Sequence, residues 1–187
     1  MSAALTVELL RTFGVALEPG LSERELARAE RRYGVRFGAD HRALLSLALP
    51  SGDGWFDWRA RNDERLRRAI RWPVEGALFD VRHDAFWPGS WGERPGDESQ
   101  RLEVAERHLR QWPQLVPLYS HRYLPAAPLG SGTPVFSVHQ TDVVIYGDDL
   151  VDYVKREFRP DGTERETSVG MHDLEPWTLL AFGEDVP

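Results

Sequence analysis

Apolar runs alternate with turn residues in a central block of the chain, between positions 112 and 153. Three short apolar runs, at 115–119, 134–138 and 143–146, are separated by small and polar residues that include a Gly-Ser-Gly cluster at 130–132. Short runs with this punctuation are typical of strands joined by turns. We therefore predict a β-meander in this block and expect the rest of the chain to pack around it.

The flanking segments instead repeat their apolar residues every three or four positions, which is the period of a helix. The clearest helix start is at Ser22, where Glu25 completes a capping box and Leu21 and Leu26 are spaced as a hydrophobic staple. The other predicted elements are a first helix ending at Gly14, helices capped by Asp40, by Asn62 or Asp63, by Asp97 and by Asp148 or Asp149, a helical turn at 74–79, a strand at 55–59 and a last helix after Pro176.

The length of the chain favours one domain spanning residues 1–187. A chain of 187 residues buries enough surface to form a sizeable core without crosslinks. No internal repeat, long linker or low-complexity segment interrupts it. The sequence therefore predicts a single domain that contains both helices and strands.

A polar triplet, His121-Arg122-Tyr123, follows the first predicted strand and continues its alternation. The strand period places His121 and Tyr123 on one face and Arg122 on the other. We predict that the three are structural and that Arg122 has fixed partners, because buried polar groups are normally hydrogen-bonded. The alternative is that the triplet contacts a ligand or a partner.

Two tryptophans, Trp87 and Trp91, lie in a segment whose prolines and glycines predict a loop. Aromatic side chains in a loop either cover the edge of the core or form a binding surface, since exposed tryptophan is enriched at interfaces. Trp87 and Trp91 are therefore candidate contacts for a partner.

The acidic charge of the chain is concentrated in its last quarter. Residues 1–139 carry 19 arginines and 18 acidic residues, whereas residues 140–187 carry four basic and 12 acidic residues. An acidic surface repels a phosphate backbone, so we expect no direct binding of nucleic acid. Asp148, Asp149 and Asp152 are the candidate contacts for a basic protein partner, although acidic segments also serve solubility alone.

The sequence shows no catalytic or metal-binding motif. It has no cysteine, and its six histidines are scattered singly rather than at ligand spacing. The phosphate loop, the dinucleotide fingerprint and the nucleophile elbow are all missing. We expect no enzyme activity, cofactor or metal. With no signal peptide and no long apolar run, we also expect a cytoplasmic protein that does not enter a membrane.

Two segments together resemble the SUKH superfamily, the cell-wall-assembly-regulator-like domains. The first, at 21–59, has the capped Leu21-Ser22-x-x-Glu25-Leu26 helix, a following Tyr33-Gly34-Val35-x-Phe37 motif and a helix from Asp40 to Leu49 that leads to a Gly-rich turn. The second, at 112–158, has Pro113-x-Leu115-x-Pro117-Leu118-Tyr119-x-His121-Arg122-Tyr123-Leu124-Pro125, Pro134-Val135-x-Ser137-Val138 and Asp142-x-x-x-Tyr146-Gly147. The order of these pieces is more distinctive than any one of them.

The resemblance implies an α+β domain in which helices pack on a mostly antiparallel central sheet. It also implies a non-catalytic protein-binding module of the bacterial immunity type, which neutralises a toxin, often a nuclease, by direct binding. Two rival hypotheses remain open. One is a scaffold or regulatory domain with no toxin, and the other is an enzyme whose site the fold assembles from His121, His139 and Asp142.

Overall fold

Two antiparallel sheets and seven α-helices make up the part of the chain that the structure describes. The structure is a computed structural model that describes residues 2–159 and 174–186. The helices are α1 Ser2–Thr12, α2 Glu23–Tyr33, α3 Ala39–Leu47, α4 Glu64–Arg82, α5 Glu98–Leu109, α6 Leu150–Phe158 and α7 Trp177–Phe182. The small sheet pairs β1 Ala16–Pro19 with β2 Ala48–Ser51, and the central sheet contains β3 Leu115–Tyr119, β4 Arg122–Pro125, β5 Val135–His139 and β6 Asp142–Gly147. The predicted α+β class is confirmed.

The central sheet is a meander with the strand order β3-β4-β5-β6. It has one strand more than the sequence predicted, because the first predicted strand ends at Tyr119 instead of continuing through the polar triplet. Ser120 takes a positive φ of 48°, and Tyr119 pairs with Arg122 across the resulting two-residue turn. Tight hairpin turns need positive φ, which is usually supplied by Gly, Asn or Asp, so a serine at this position does not indicate a turn.

Helices cover both faces of the central sheet. Leu118, Leu124 and Val135 pack with apolar residues of α1, α3 and α6 on one face. On the other face, Phe136, Val138 and neighbouring side chains pack against Trp177 of α7. Alternate residues of a strand point to opposite faces, so each strand contributes to both layers.

The capping box at Ser22 forms as predicted. The backbone N–H of Glu25 donates to the Ser22 hydroxyl at 3.4 Å, and the Glu25 carboxylate accepts from the backbone N–H of Ser22 at 2.8 Å. Leu21 and Leu26, the predicted staple, are both buried. Asp149, Asp97 and Asp63 likewise accept from backbone N–H groups at the starts of α6, α5 and α4.

Two predictions near α3 are wrong. Gly38 stands at the N-cap position, and Asp40 lies one residue inside the helix, where its carboxylate accepts from the backbone N–H of Gly132 at 2.6 Å. The predicted strand at 55–59 is limited to a single bridge between Trp55 and Tyr119. Asp40 is used in a tertiary contact with a distant loop, which local capping rules do not detect.

Helix α4 runs without a break through Pro73, where the sequence predicted two shorter segments. Proline has no N–H, so the carbonyl of Ala69, four residues earlier, loses its helical donor. The hydroxyl of Tyr123 donates to that carbonyl at 3.0 Å. The side chain from β4 therefore compensates for the proline and ties α4 to the sheet.

None of the helices in the described ranges is long and apolar enough to cross a membrane.

Candidate functional site

Arg122, at the start of β4, is buried, with 7% of its surface exposed. Its Nε donates to Glu157 of α6 at 3.0 Å and its Nη1 donates to the hydroxyl of Ser137 at 2.9 Å. The guanidinium also lies 3.7 Å from the centre of the Tyr146 ring. The predicted structural role of Arg122 requires fixed partners of this kind. They also join the central sheet to α6.

The other two residues of the triplet face the opposite side of the sheet from Arg122. Tyr123 is fully buried, and burial raises the pKa of its hydroxyl, which donates to Ala69 of α4. His121 lies exposed in the β3–β4 turn, with its Nδ1 3.3 Å from the Ser120 hydroxyl. Partial burial and the charge of Arg122 lower the pKa of His121. His121 is therefore a surface group and not a buried strand residue.

The three acidic candidates, Asp148, Asp149 and Asp152, surround the start of α6 and are half-buried. The Asp149 carboxylate accepts from the backbone N–H of Asp152 at 2.7 Å. The Asp152 carboxylate accepts from the N–H of Asp148 at 3.0 Å and from Arg156 at 2.7 Å. Asp149 thus caps α6 and Asp152 pairs with Arg156, while all three side chains keep part of their surface exposed. Asp161, Glu164 and Glu166 of the same acidic last quarter lie outside the described residues.

The two loop tryptophans are not equivalent. Trp91 ends a short 3₁₀ helix, Gly89–Trp91, and is only 6% exposed, packed against Phe86 and stacked on His108. Trp87 is half-buried, with its indole N–H donating to the carbonyl of Gly92 at 3.0 Å. The packing of Trp91 favours the alternative in which this loop covers the core edge. Trp87 keeps an accessible surface, and its predicted contact with a partner stays a prediction.

A surface cavity of about 260 Å³ lies between α4 and the β3–β4 turn. One wall comes from α4, where the lining residues fall at helical spacing i, i+3, i+4 and i+7. The other walls come from the loop before α4 and from the turn. The lining residues are Phe56, Arg65, Arg68, Ala69, Trp72, Ser120, His121 and Tyr123.

The cavity is basic and aromatic. No carboxylate lines it, while two guanidinium groups and one imidazole do. Arg65 is held in place, because its Nη1 donates to the carbonyl of Trp55 at 3.1 Å and its guanidinium lies 4.8 Å from the centre of the Phe56 ring. Arg68 makes no hydrogen bond, ion pair or ring contact with any residue that the structure describes. The cavity thus contains one guanidinium that its neighbours hold in place and one that is unpaired among the described residues.

The residues of the rival enzyme hypothesis lie at one end of the sheet. His139 and Asp142 are register partners across the β5–β6 turn, and the carbonyl of His121 accepts from Val138 next to them. The cavity that this hypothesis requires beside His121 exists, but neither His139 nor Asp142 lines it. Within residues 2–159 and 174–186, no group of three His, Cys, Asp or Glu side chains is placed to hold a metal.

The sequence analysis missed the cavity because its walls come from three distant segments. One signal was available: the spacing of Arg65, Arg68, Ala69 and Trp72 places them on one face of a helix. That face carries two arginines and a tryptophan, which is neither a purely apolar core face nor a mixed-charge solvent face. Because residue 121 was expected to lie in a strand, the β3–β4 turn that faces this side of α4 was not predicted.

The chain matches no family model, no curated protein and no solved structure. The resemblance to the SUKH superfamily therefore stays a prediction that depends on the residues given above.

Proposed function

We propose that this protein is a non-catalytic binding module of the SUKH type, which neutralises a basic toxin domain, such as a nuclease, by direct binding. The observation that carries the proposal is the docking of the two segments that resemble the superfamily. Phe37 pairs with Ala126, and Trp55 pairs with Tyr119, although these partners are more than 60 residues apart in the chain. The two segments thus fold as one unit, as a shared domain requires.

The acidic residues near α6 supply the surface for the basic partner. Asp149 caps α6 and Asp152 pairs with Arg156, and both carboxylate side chains are part-exposed. Opposite charges across an interface raise the association rate, up to about 10⁸–10⁹ M⁻¹s⁻¹ at low salt. We therefore expect salt-dependent association with the toxin.

Co-expression with the toxin domain encoded beside its gene tests the proposal. The chain should protect cells from that toxin and form a complex with it in purified form. If the neighbouring gene encodes no toxin, or if the chain neither binds nor protects, the immunity hypothesis is wrong and the scaffold alternative takes its place.

Variants that keep the helix cap test the acidic surface within this proposal. Asn caps a helix as well as Asp does, so Asp149→Asn should keep the fold and lower the on-rate and its salt dependence. Asp97→Asn is the matched control, since Asp97 caps α5 in the same way. Equal on-rates for the two variants would place the recognition surface elsewhere, with Trp87 the next candidate.

A further inference from the structure

Several surface arginines of this protein are held in place by ion pairs with carboxylates. The side chains of Arg42, Arg59, Arg71, Arg82, Arg94 and Arg110 each contact at least one carboxylate. Arg68 has no such partner in the described part of the chain, although it lies on a helix whose other arginines are engaged. Arg67 lies over Tyr33, and Arg71 pairs with Glu64 and Glu75.

The position of Arg65 and Arg68 along α4 points to an anion. They are the second and fifth residues of the helix, whose positive dipole end disfavours cations. An anionic group in the cavity would offset this repulsion and would accept hydrogen bonds from Arg68 and His121. Arg65 is already oriented by Trp55 and Phe56, so a ligand that meets it loses little side-chain freedom.

The remaining walls are aromatic. Trp72 is only half-buried, so its ring offers an apolar surface against which a planar ring packs favourably, whereas Phe56 and Tyr123 line the cavity with little accessible surface. At about 260 Å³ the cavity lies just below the range of about 300–1,000 Å³ that is usual for drug-sized ligands, so it suits a smaller molecule. A long polyanion is disfavoured, because the chain carries a net charge of −7.

We propose that the cavity binds a small aromatic anion, a planar ring carrying a phosphate or a carboxylate. The ring packs against Trp72, and the anionic group lies at Arg68 and His121. This binding site is separate from the acidic surface near α6 and does not depend on the immunity hypothesis.

Isothermal titration calorimetry of the full chain with phenyl phosphate and with benzoate tests this site. Inorganic phosphate and phenol are the comparison ligands, because each lacks one half of the proposed chemistry. We expect phenyl phosphate or benzoate to bind at least about 10-fold more tightly than either comparison ligand. Arg68→Gln and His121→Gln should each weaken that binding by about 10-fold or more.

Arg24→Gln is the matched control, since Arg24 is an exposed arginine in the first turn of α2 and does not line the cavity. It should bind as the wild type does. The proposal is overturned if neither aromatic anion binds at millimolar concentration, if inorganic phosphate binds as tightly as phenyl phosphate and benzoate do, or if Arg68→Gln and Arg24→Gln have equal effects. The circular dichroism spectrum of each variant establishes that it is folded. We expect Arg68→Gln to fold, because the Arg68 side chain has no partner to lose within residues 2–159 and 174–186.

Discussion

Two arginines beside the β3–β4 hairpin differ in every respect except their charge. Arg122 is buried in the sheet and has a carboxylate, a hydroxyl and an aromatic ring as partners. Arg68 lies at a cavity on the other face of the hairpin, exposed and without a partner in the described ranges. The first joins sheet and helix, whereas the second is available to a ligand. The comparison separates an arginine kept for folding from one kept for binding.

Arg122→Ala has the largest expected effect on folding. Removal of one partner from a buried ion pair leaves Glu157 uncompensated, and such changes destabilise proteins by about 3–5 kcal/mol. Urea unfolding monitored by tryptophan fluorescence measures the loss. An unchanged midpoint would show that Arg122 is not structural and would remove the contrast with Arg68.

Replacement of both members of the pair refines that result. Arg122→Met together with Glu157→Gln removes both charges, so the double variant should be more stable than Arg122→Ala, because no buried charge is left unpaired. A double variant as unstable as Arg122→Ala would show that the loss of packing over Tyr146 and Ser137 dominates.

His41 presents the opposite case to Arg122, a basic side chain buried without a partner. It is 1% exposed, neither ring nitrogen has a hydrogen bond to any residue in the described ranges, and the rings of Phe37 and Trp58 pack against it. Burial lowers the pKa of His41 from 6.5 to about 3. The unfolded chain therefore takes up this proton first as the pH falls, and stability is lost below pH 6.5.

Unfolding free energies measured across this range test the effect. At about 1.4 kcal/mol per unit, the contribution of His41 should decline by about 2 kcal/mol between pH 6.5 and about pH 5. His41→Leu should remove this part of the slope and, at neutral pH, should be at least as stable as the wild type, because no polar group is left buried without a partner. If the unfolding free energy of His41→Leu fell with pH as steeply as that of the wild type, the loss of stability would not be due to His41.

Tyr123→Phe should destabilise the fold by about 1 kcal/mol, because the part-buried carbonyl of Ala69 loses its donor. The same change in a Pro73→Ala background should be smaller, since alanine restores the helical N–H to that carbonyl. A double-mutant cycle of urea midpoints gives the coupling energy. Strict additivity would mean that the hydroxyl does not compensate for the proline.

Arg68→Gln should have the smallest effect on stability, within about 0.5 kcal/mol of the wild type, as for surface substitutions that remove no partner. The same urea experiment used for Arg122→Ala measures it. A loss comparable with that of Arg122→Ala would reveal a structural role and would end the comparison between the two arginines.

The sequence predicted those parts of the structure that depend on local rules. The Ser22 cap and staple and the caps at Asp97 and Asp149 formed as expected, because their signals lie within a few residues. The predictions failed where a distant contact decides. The Tyr123 hydroxyl donates to the carbonyl that Pro73 leaves without a helical donor, and the backbone N–H of Gly132 donates to the Asp40 carboxylate.

The candidate site was less predictable than the fold. Arg122 could be expected to have partners because it follows an apolar strand, but Ser120 adopts a turn conformation that its residue type rarely takes. With that turn missed, His121 was assigned to a strand, and the cavity between α4 and the turn had no visible second wall. Phe56, Arg68 and His121 come together through tertiary packing, which the hydrophobic periodicity of the sequence does not indicate.

The most direct test of the contrast between Arg68 and Arg122 is the urea midpoint of the wild type and of Arg68→Gln, each with and without phenyl phosphate. A ligand that binds only the folded state raises stability by RT ln(1 + [L]/Kd). We predict nearly equal midpoints for the two proteins without ligand, and an upward shift with ligand that is clearly larger in the wild type than in Arg68→Gln. Equal shifts in both proteins, or a lower midpoint of Arg68→Gln without ligand, would contradict the account.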